Sequence, residues 1–115
     1  MNAVLQPAEN WVPVCPIDAI VPNTGVCALV KGRHVAVFRV GQNKLYAIDN
    51  LDPKTGASVL SRGLIGSLGD RVVVASPLYK HHFDLLTGEC LETPEYKLHT
   101  HQVRNQNGQV LVALN

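Results

Sequence analysis

The sequence has no long apolar run, no block of like charge and no paired cysteine motif. Its apolar stretches, such as Val72–Ala75 and Val110–Leu114, are far shorter than the roughly 20 residues that a membrane-spanning helix needs. Ten basic and nine acidic residues leave a net charge of +1, which argues against a nucleic-acid binder that works by neutralising phosphates. The sequence therefore predicts neither a membrane nor a nucleic acid as a partner.

Cysteine is scarce and unpaired in sequence. Cys15, Cys27 and Cys90 form no CxxC motif, and an odd count with such spacing is not typical of a disulfide framework. We expect three free thiols, buried as small apolar side chains in a reducing cytosol. Residues 1–7 contain no basic region and no long apolar segment, so they do not resemble a secretory signal. We therefore expect a cytoplasmic protein.

The 115 residues are enough for one domain with one small core. A hydrophobic content of 46% argues against intrinsic disorder. We predict a single domain over residues 1–115, in which residues 1–10 form a loosely ordered N-terminal segment. No internal repeat or low-complexity stretch is visible.

Short segments with β-branched residues and a period near two predict an all-β protein. The clearest predicted strands are residues 34–39, 44–49, 71–75 and 109–114, and the weaker ones are residues 12–15, 26–30 and 99–104. Turn residues separate them, and Asn107-Gly108 is typical of a two-residue hairpin because both positions accept a positive φ. The only predicted helical structure is one short turn over residues 17–22, before Pro22.

Two long segments interrupt this pattern of strands and hairpins. Residues 49–63 and residues 76–88 are rich in turn-forming residues. Long loops in a small domain are usually functional, so we expect the chemistry of the molecule there.

The two segments resemble the cluster-binding loops of Rieske iron–sulfur domains. The first such loop reads Cys-Pro-His-x-Gly-Ala, and its counterpart here is Asp52-Pro53-Lys54-Thr55-Gly56-Ala57, followed by Leu60 and Gly63. The second reads Cys-Pro-x-His, and its counterpart is Ser76-Pro77-Leu78-Tyr79, followed by Phe83-Asp84 and Thr87-Gly88. The resemblance implies a Rieske-like antiparallel β-sandwich with two long loops at the cluster position.

The ligands of that cluster are missing from both loops. Asp52 and Ser76 stand where the resemblance places cysteines, and Lys54 and Tyr79 stand where it places histidines. A Rieske centre requires two thiolates and two imidazoles, and a protonated lysine has no lone pair to offer. We therefore expect no cofactor and no metal in this chain, which argues against an electron-carrying ferredoxin.

A Rieske-like chain without ligands resembles the small subunit of NADH-dependent assimilatory nitrite reductase. The strings that carry this resemblance include Tyr46–Asn50, Leu60-Ser61-Arg62-Gly63 and Ser76-Pro77-Leu78-Tyr79-Lys80, within residues 11–114. It implies a large-subunit partner with siroheme, an iron–sulfur cluster and FAD, which uses NADH to reduce nitrite to ammonium. It implies a non-catalytic role for this chain. The alternative is a free-standing, cluster-less module that binds a small molecule or another redox partner.

Arg62, Tyr79 and Lys80 are the candidate contacts with such a partner. Arginine and tyrosine are frequent at interfaces. Arg62 has the alternative role of organising its own loop, and Tyr79 that of filling the space that a cluster would occupy.

The histidines and acids outside the ligand positions have simpler interpretations. His81 and His82 point to opposite faces if they lie on a strand, so they do not form a metal pair there, and we expect His82 to be partly buried and His81 to face solvent. His99 and His101 would share a face, but no further ligand is evident, and a surface position is expected for both. Asp49 and Asp52 are expected to cap the turn before Pro53. No catalytic residue is predicted.

Overall fold

The computed structural model describes residues 10–79 and 81–115. Residues 1–9, which make up most of the predicted N-terminal segment 1–10, lie outside the described residues, as does Lys80. In the described part of the chain, no helix is long and apolar enough to cross a membrane.

The described residues form an all-β fold, as predicted. Two short 3₁₀ helices, Ile17–Ala19 and Leu60–Arg62, accompany the strands. The strands are β1 (Val12–Pro16), β2 (Thr24–Val30), β3 (Arg33–Val40), β4 (Lys44–Asp49), β5 (Leu64–Leu68), β6 (Arg71–Ala75), β7 (His82–Asp84), β8 (Thr100–Gln106) and β9 (Gln109–Ala113).

The strands form two antiparallel sheets of unequal size. The larger sheet has the order β1-β9-β8-β4-β3-β2, and the smaller one has the order β5-β6-β7. Each hairpin joins strands that are neighbours in the chain, such as β2 with β3 and β8 with β9. The chain crosses from one sheet to the other after β4 and after β7. The segment 49–63 includes the first crossing, whereas the segment 76–88 consists of the β6–β7 connection, β7 and the start of the second crossing.

β3 lies at the centre of the molecule and is buried on both faces. Its residues 35–39 are all buried. Ala36 and Phe38 pack with Val74 and Phe83 of the smaller sheet. Val35 and Val37 pack on the opposite face with a second cluster, which includes Val110 and Val112 of β9. One strand therefore belongs to two cores, which explains why it has an uninterrupted apolar run rather than an alternating one.

β4 shows the alternation that the sequence predicts. Tyr46 and Ile48 belong to the core beside the smaller sheet, whereas Leu45 and Ala47 belong to the other. The predicted hairpin turn at Asn107-Gly108 is also confirmed, with φ of 55° and 87° at the two positions.

The sequence patterns do not predict β5 or β7, and each has a physical reason. β5 reads Leu-Ile-Gly-Ser-Leu, and only Ile65 of its five residues is partly buried. β7 has three residues and forms because it pairs with β6. The prediction that residues 76–88 are wholly irregular is therefore wrong for His82–Asp84.

Gly63 allows the chain to enter β5 in close contact with β6. A Cβ atom at this position would lie 2.3 Å from the Ala75 carbonyl oxygen and 2.7 Å from a methyl group of Val74. Gly66 on the same strand has no atom within 4 Å of the corresponding position. The two glycines therefore differ in what they contribute to packing.

We expect the Gly63→Ala variant to be less stable than the parent by about 1–3 kcal/mol, because the added methyl group overpacks against backbone that cannot rotate away. Gly66→Ala, measured at a protein concentration at which the chain is monomeric, is the matched control, and we expect a change below about 0.5 kcal/mol. Urea unfolding followed by circular dichroism measures both values. Equal stabilities for the two variants would contradict this account of Gly63.

Candidate functional site

The two loops that resemble cluster-binding loops come together at one end of the molecule. The first loop, residues 50–59, follows β4 of the larger sheet. The second loop, residues 76–81, connects β6 to β7 in the smaller sheet. The four positions that correspond to cluster ligands lie on these loops and contact one another in pairs.

Asp52 and Ser76 form the inner pair. Both are almost fully buried. The Ser76 hydroxyl donates a hydrogen bond of 2.9 Å to Oδ2 of Asp52. The other carboxylate oxygen, Oδ1, accepts the backbone N–H groups of Lys54 and Thr55 at 2.9 and 3.1 Å. Asp52 thus caps its own turn, as predicted, and also holds the second loop.

Lys54 and Tyr79 form the outer pair. The Lys54 ammonium nitrogen lies 4.0 Å from the centroid of the Tyr79 ring, which is a cation–π arrangement. Both residues are exposed, and Tyr79 keeps 51% of its surface accessible. The Lys54 ammonium therefore lies over the Tyr79 ring, while about half of the Tyr79 surface stays accessible to solvent.

The four side chains contact one another in pairs that match the ligand types of a Rieske centre. The two positions expected to carry cysteines bond to each other, and so do the two expected to carry histidines. A carboxylate, a hydroxyl, an ammonium and a phenol do not match the two thiolates and two imidazoles of a Rieske cluster. The donor atoms are also engaged with one another. These residues do not fit a 2Fe–2S cluster.

His81 lies beneath Tyr79 in an aromatic group, which corrects the expectation that it faces solvent. Its ring centroid is 5.5 Å from that of Tyr96 and 6.4 Å from that of Tyr79, and Phe83 lies on a further side at 6.5 Å. The second loop is therefore anchored on the core by edge-to-face contacts of the His81 ring with Phe83 and Tyr96.

Asn50 organises the first loop and was not identified as a site residue from the sequence. It is fully buried. Its side-chain oxygen accepts the Ser61 N–H at 2.6 Å, and its side-chain N–H₂ donates to Ser58 Oγ at 2.6 Å and to Cys27 Sγ at 3.3 Å. The available signal was an amide directly after an apolar strand, a position that favours local backbone bonding.

Asp84 performs the equivalent role behind the second loop. Its Oδ1 accepts the N–H groups of Leu86 and Thr87, and Arg71 donates to its Oδ2 at 2.6 Å and also pairs with Glu89. Burial acts to raise the pKa of the Asp84 carboxyl. The hydrogen bonds from Arg71 and from the two amides outweigh it, and the pKa lies below its ordinary value.

His82 is hydrogen-bonded to Glu92 and is not part of a metal site. Its Nδ1 lies 2.6 Å from Oε2 of Glu92, and its backbone N–H donates to Oε1 at 2.8 Å. Burial acts to raise the pKa of Glu92, but the bonds from His82 lower it below its ordinary value. In the described part of the chain, no three histidines, cysteines or acids come together as a metal site.

His101 is buried, which corrects the expectation of a surface position. The N–H of Asn115 donates to its Nδ1 at 3.2 Å, so the ring proton resides on Nε2, which donates to Oδ1 of Asp49 at 2.9 Å. Arg33 pairs with the same carboxylate at 3.0 Å. Asp49 thus binds side chains of β3 and β8 instead of capping the turn before Pro53. His99 is exposed, as expected.

Arg62 is exposed at the rim of a cleft of about 420 Å³ beside the second loop. The cleft is also lined by Leu64, Pro77 and His82. Within residues 10–79 and 81–115, no carboxylate pairs with its guanidinium. The side chain is therefore available to a partner. Lys80, the third candidate contact, lies outside the described residues.

The three cysteines are free, as predicted, but not equally buried. Cys90 is buried in the core, and Cys15 is half-buried, which raises the pKa of its thiol. Cys27 is exposed, so the expectation of a buried side chain is wrong there. On β2 its side chain lies on the face opposite to Val26 and Ala28, where its Sγ accepts a hydrogen bond from Asn50 of the first loop.

Comparison with known proteins identifies the family to which this chain belongs. The Rieske-like 2Fe-2S domain family matches residues 10–113. The nitrite reductase (NADH) small subunit of Salmonella typhimurium is 45% identical over 103 residues, which cover 89% of this chain and 95% of that one. The chain belongs to the family of nitrite reductase small subunits.

Two further relatives extend the comparison of this small-subunit chain. The solution structure of the nitrite reductase NAD(P)H small subunit from Erwinia carotovora has a TM-score of 0.80 and 44% identity, covering 93% of this chain and 83% of that one. The nitrite reductase NAD(P)H large subunit of Klebsiella oxytoca is 40% identical over 106 residues. These cover 92% of this chain but 11% of that protein.

We expect a double-mutant cycle on Asp52→Ala and Ser76→Ala to give a coupling free energy of about 1–3 kcal/mol, because the bond is buried and accepted by a carboxylate. The exposed pair Lys54→Met and Tyr79→Leu serves as the comparison, with a coupling below about 1 kcal/mol. Urea unfolding of the four variants and their doubles measures both. A larger coupling for the exposed pair would contradict the assignment of Asp52–Ser76 as the stronger contact.

We also expect Asp84 to contribute to acid sensitivity. Because its pKa is lower in the folded state, its stabilising contribution is present at neutral pH and disappears as the pH falls through the folded-state pKa. The Asp84→Asn variant should lose less stability than the parent between pH 7 and about pH 3. Asp18→Asn, at an exposed site, should follow the parent. An unchanged pH dependence in Asp84→Asn would refute this.

Proposed function

We propose that this chain is the non-catalytic small subunit of an NADH-dependent nitrite reductase, acting in the cytoplasm in nitrate assimilation. The observation that carries this proposal is 45% identity to a nitrite reductase (NADH) small subunit over 95% of that protein's length. Siroheme, an iron–sulfur cluster, FAD and NADH then belong to the large subunit, which reduces nitrite to ammonium.

The relative from Klebsiella oxytoca supports the partnership with a large subunit. A segment 40% identical to this chain makes up 11% of a protein named as a large subunit. There the related domain is part of the same polypeptide as the large subunit. We propose that this separate chain occupies the corresponding position by non-covalent association.

We propose that the chain holds no cluster of its own. The support is the set of contacts at the four ligand positions, where Asp52 bonds Ser76 and Lys54 covers Tyr79. These contacts hold the loops together by hydrogen bonding and cation–π attraction. The loops then offer a partner a fixed surface instead of a redox centre.

The proposed contact surface is the end of the domain that carries the two loops. Tyr79 and Leu78 expose 51% and 45% of their surfaces there. Lys54 and Arg62 add positive charge, and the nearby acid Asp52 is buried and hydrogen-bonded. An apolar surface with cationic neighbours fits an apolar patch with an acidic rim on the large subunit.

The alternative of a free-standing small-molecule module has less support. It requires a pocket between the two loops, but the side chains at the ligand positions are in contact with one another. The clefts beside the loops, such as the one lined by Arg62 and Leu64, are open to solvent at the domain surface. Such surfaces suit a protein partner better than an enclosed ligand.

The partnership is tested by deleting the gene in its native cell and measuring NADH-dependent nitrite reduction in extracts. We expect the activity to fall and to return with the parent chain. Tyr79→Ala and Lys54→Glu should restore it less well, with an apparent affinity for the large subunit about tenfold or more lower. Unchanged activity after deletion would overturn the proposal.

Matched controls use the opposite end of the domain. Val21 is 64% exposed near the start of β2, and Lys44 is exposed at the end of β4 that is remote from the first loop. Lys44→Glu repeats the charge reversal of Lys54→Glu away from the loops, and Val21→Ala truncates an exposed apolar side chain there. We expect both to restore activity fully. Equal defects in control and loop variants would place the contact elsewhere.

The absence of a cluster is tested by iron analysis and electron paramagnetic resonance of the purified chain. We expect less than about 0.1 iron per chain, because the donor set lacks thiolate and imidazole. The quadruple variant Asp52→Cys, Lys54→His, Ser76→Cys and Tyr79→His, expressed in parallel, shows whether the assay detects a cluster on this scaffold. Two irons per parent chain would contradict the proposal.

A further inference from the structure

β5 is an edge strand without a partner on its outer side. It is the outermost strand of the smaller sheet within the described residues. Its sequence contains no charge and no proline, which are the usual protection of an exposed edge. Leu64 and Leu68 are 79% and 45% exposed. The edge is therefore apolar, open and able to pair with another strand.

The register of β5 on β6 identifies which backbone groups are free. Leu68 pairs with Arg71 across the two-residue turn, and Ser67 faces Val72. The Val72 carbonyl accepts the Leu85 N–H at 3.0 Å, on the side away from β5. Because bonding alternates along an antiparallel strand, the N–H and C=O groups of Ile65 and Ser67 point out from the open edge.

The residues at equal distances before and after Gly66 on this edge are complementary to each other. Gly66 is at the centre, and Leu64 and Leu68 lie two residues before and after it on the same face. Arg62 and Asp70 lie four residues before and after it, with opposite charges. Within the described part of the chain, neither takes part in a salt bridge.

We propose that β5 pairs with β5 of a second copy of this chain, antiparallel, about a two-fold axis at Gly66. Ile65 of one copy then exchanges two backbone hydrogen bonds with Ser67 of the other, and the symmetry repeats this pair. Each Leu64 lies beside a Leu68 of the other copy. Each Arg62 lies at the same end as an Asp70 of the other copy.

Gly66 is suited to the position on the axis. Two residues that face each other without hydrogen bonds in an antiparallel pair have Cα atoms about 4.5 Å apart, and two glycines have no side chains to collide there. The site of a Cβ at Gly66 is open in the single chain. This openness leaves room for the other copy.

A second copy fits this edge better than a strand of another protein. A two-fold interface requires each residue to complement the residue at the mirrored position. Leucine against leucine and arginine against aspartate meet that requirement without any assumption about a foreign sequence. The inference is independent of the role proposed for the loops, and it predicts that the small subunit associates in pairs.

Sedimentation equilibrium of the purified full-length chain tests the pairing. We expect the mass to rise with concentration from 12.5 kDa towards twice that value. Ser67→Pro removes an outward N–H but no bond to β6, and should weaken the dimer about thirtyfold or more, since symmetry removes two hydrogen bonds. Ser67→Ala keeps the N–H and should match the parent.

Charge reversal tests the symmetry directly. Arg62→Asp and Asp70→Arg should each weaken the dimer about tenfold, because each change places like charges together at both ends. The double variant restores opposite charges and should recover most of the affinity. Circular dichroism verifies that each variant is folded, and the large subunit is absent, so an effect of Arg62 on that partner does not enter.

Three results would overturn the inference. The parent chain stays at 12.5 kDa up to about 1 mM, which corresponds to a free energy too small to hold a dimer. Ser67→Pro, if folded, dimerises as well as Ser67→Ala. The double charge reversal fails to recover what the single reversals lose.

Discussion

The hydrogen bond from Ser76 to Asp52 ties the smaller sheet to the larger one at the end where both loops emerge. Asp52 belongs to the loop after β4, and Ser76 belongs to the loop after β6. In a Rieske domain this connection runs through iron. Here a carboxylate that also caps its own turn supplies it. The geometry of Lys54 and Tyr79 above it depends on this bond, because it fixes the distance between the loops.

The four residues at the ligand positions depend on one another in two pairs. An aspartate buried without Ser76 would lack a donor for Oδ2, and burying an unsatisfied carboxylate is costly. Without Lys54, water would contact the face of the Tyr79 ring that the ammonium group now covers. Each member of a pair thus explains the other.

Much of this architecture follows from the sequence, and the exceptions have identifiable causes. Strands such as β3 and β4 have strong apolar patterns, and the loops carry turn residues at fixed spacing. β7 forms only through its pairing with β6, and the burial of His101 depends on Asp49, 52 residues away in the chain. Local patterns contain no information about such distant partners.

The candidate site shows the same division. The sequence predicts four ligand positions, since the surrounding prolines and glycines keep the spacing of the Rieske-like loops. It did not predict how their side chains pair, because that depends on the approach of two loops from different sheets. Asn50 was missed for the same reason. Its bonds to Cys27, Ser58 and Ser61 join three segments that are separated along the chain.

The burial of β3 on both faces has a mechanical consequence. A strand that contributes side chains to two cores couples them, so that neither core opens without exposing the other. The smaller sheet and its loop are therefore not a flap that swings independently of the rest. A protein that binds the loop end of this domain would contact a rigid surface, and a displacement of that surface would move the whole domain.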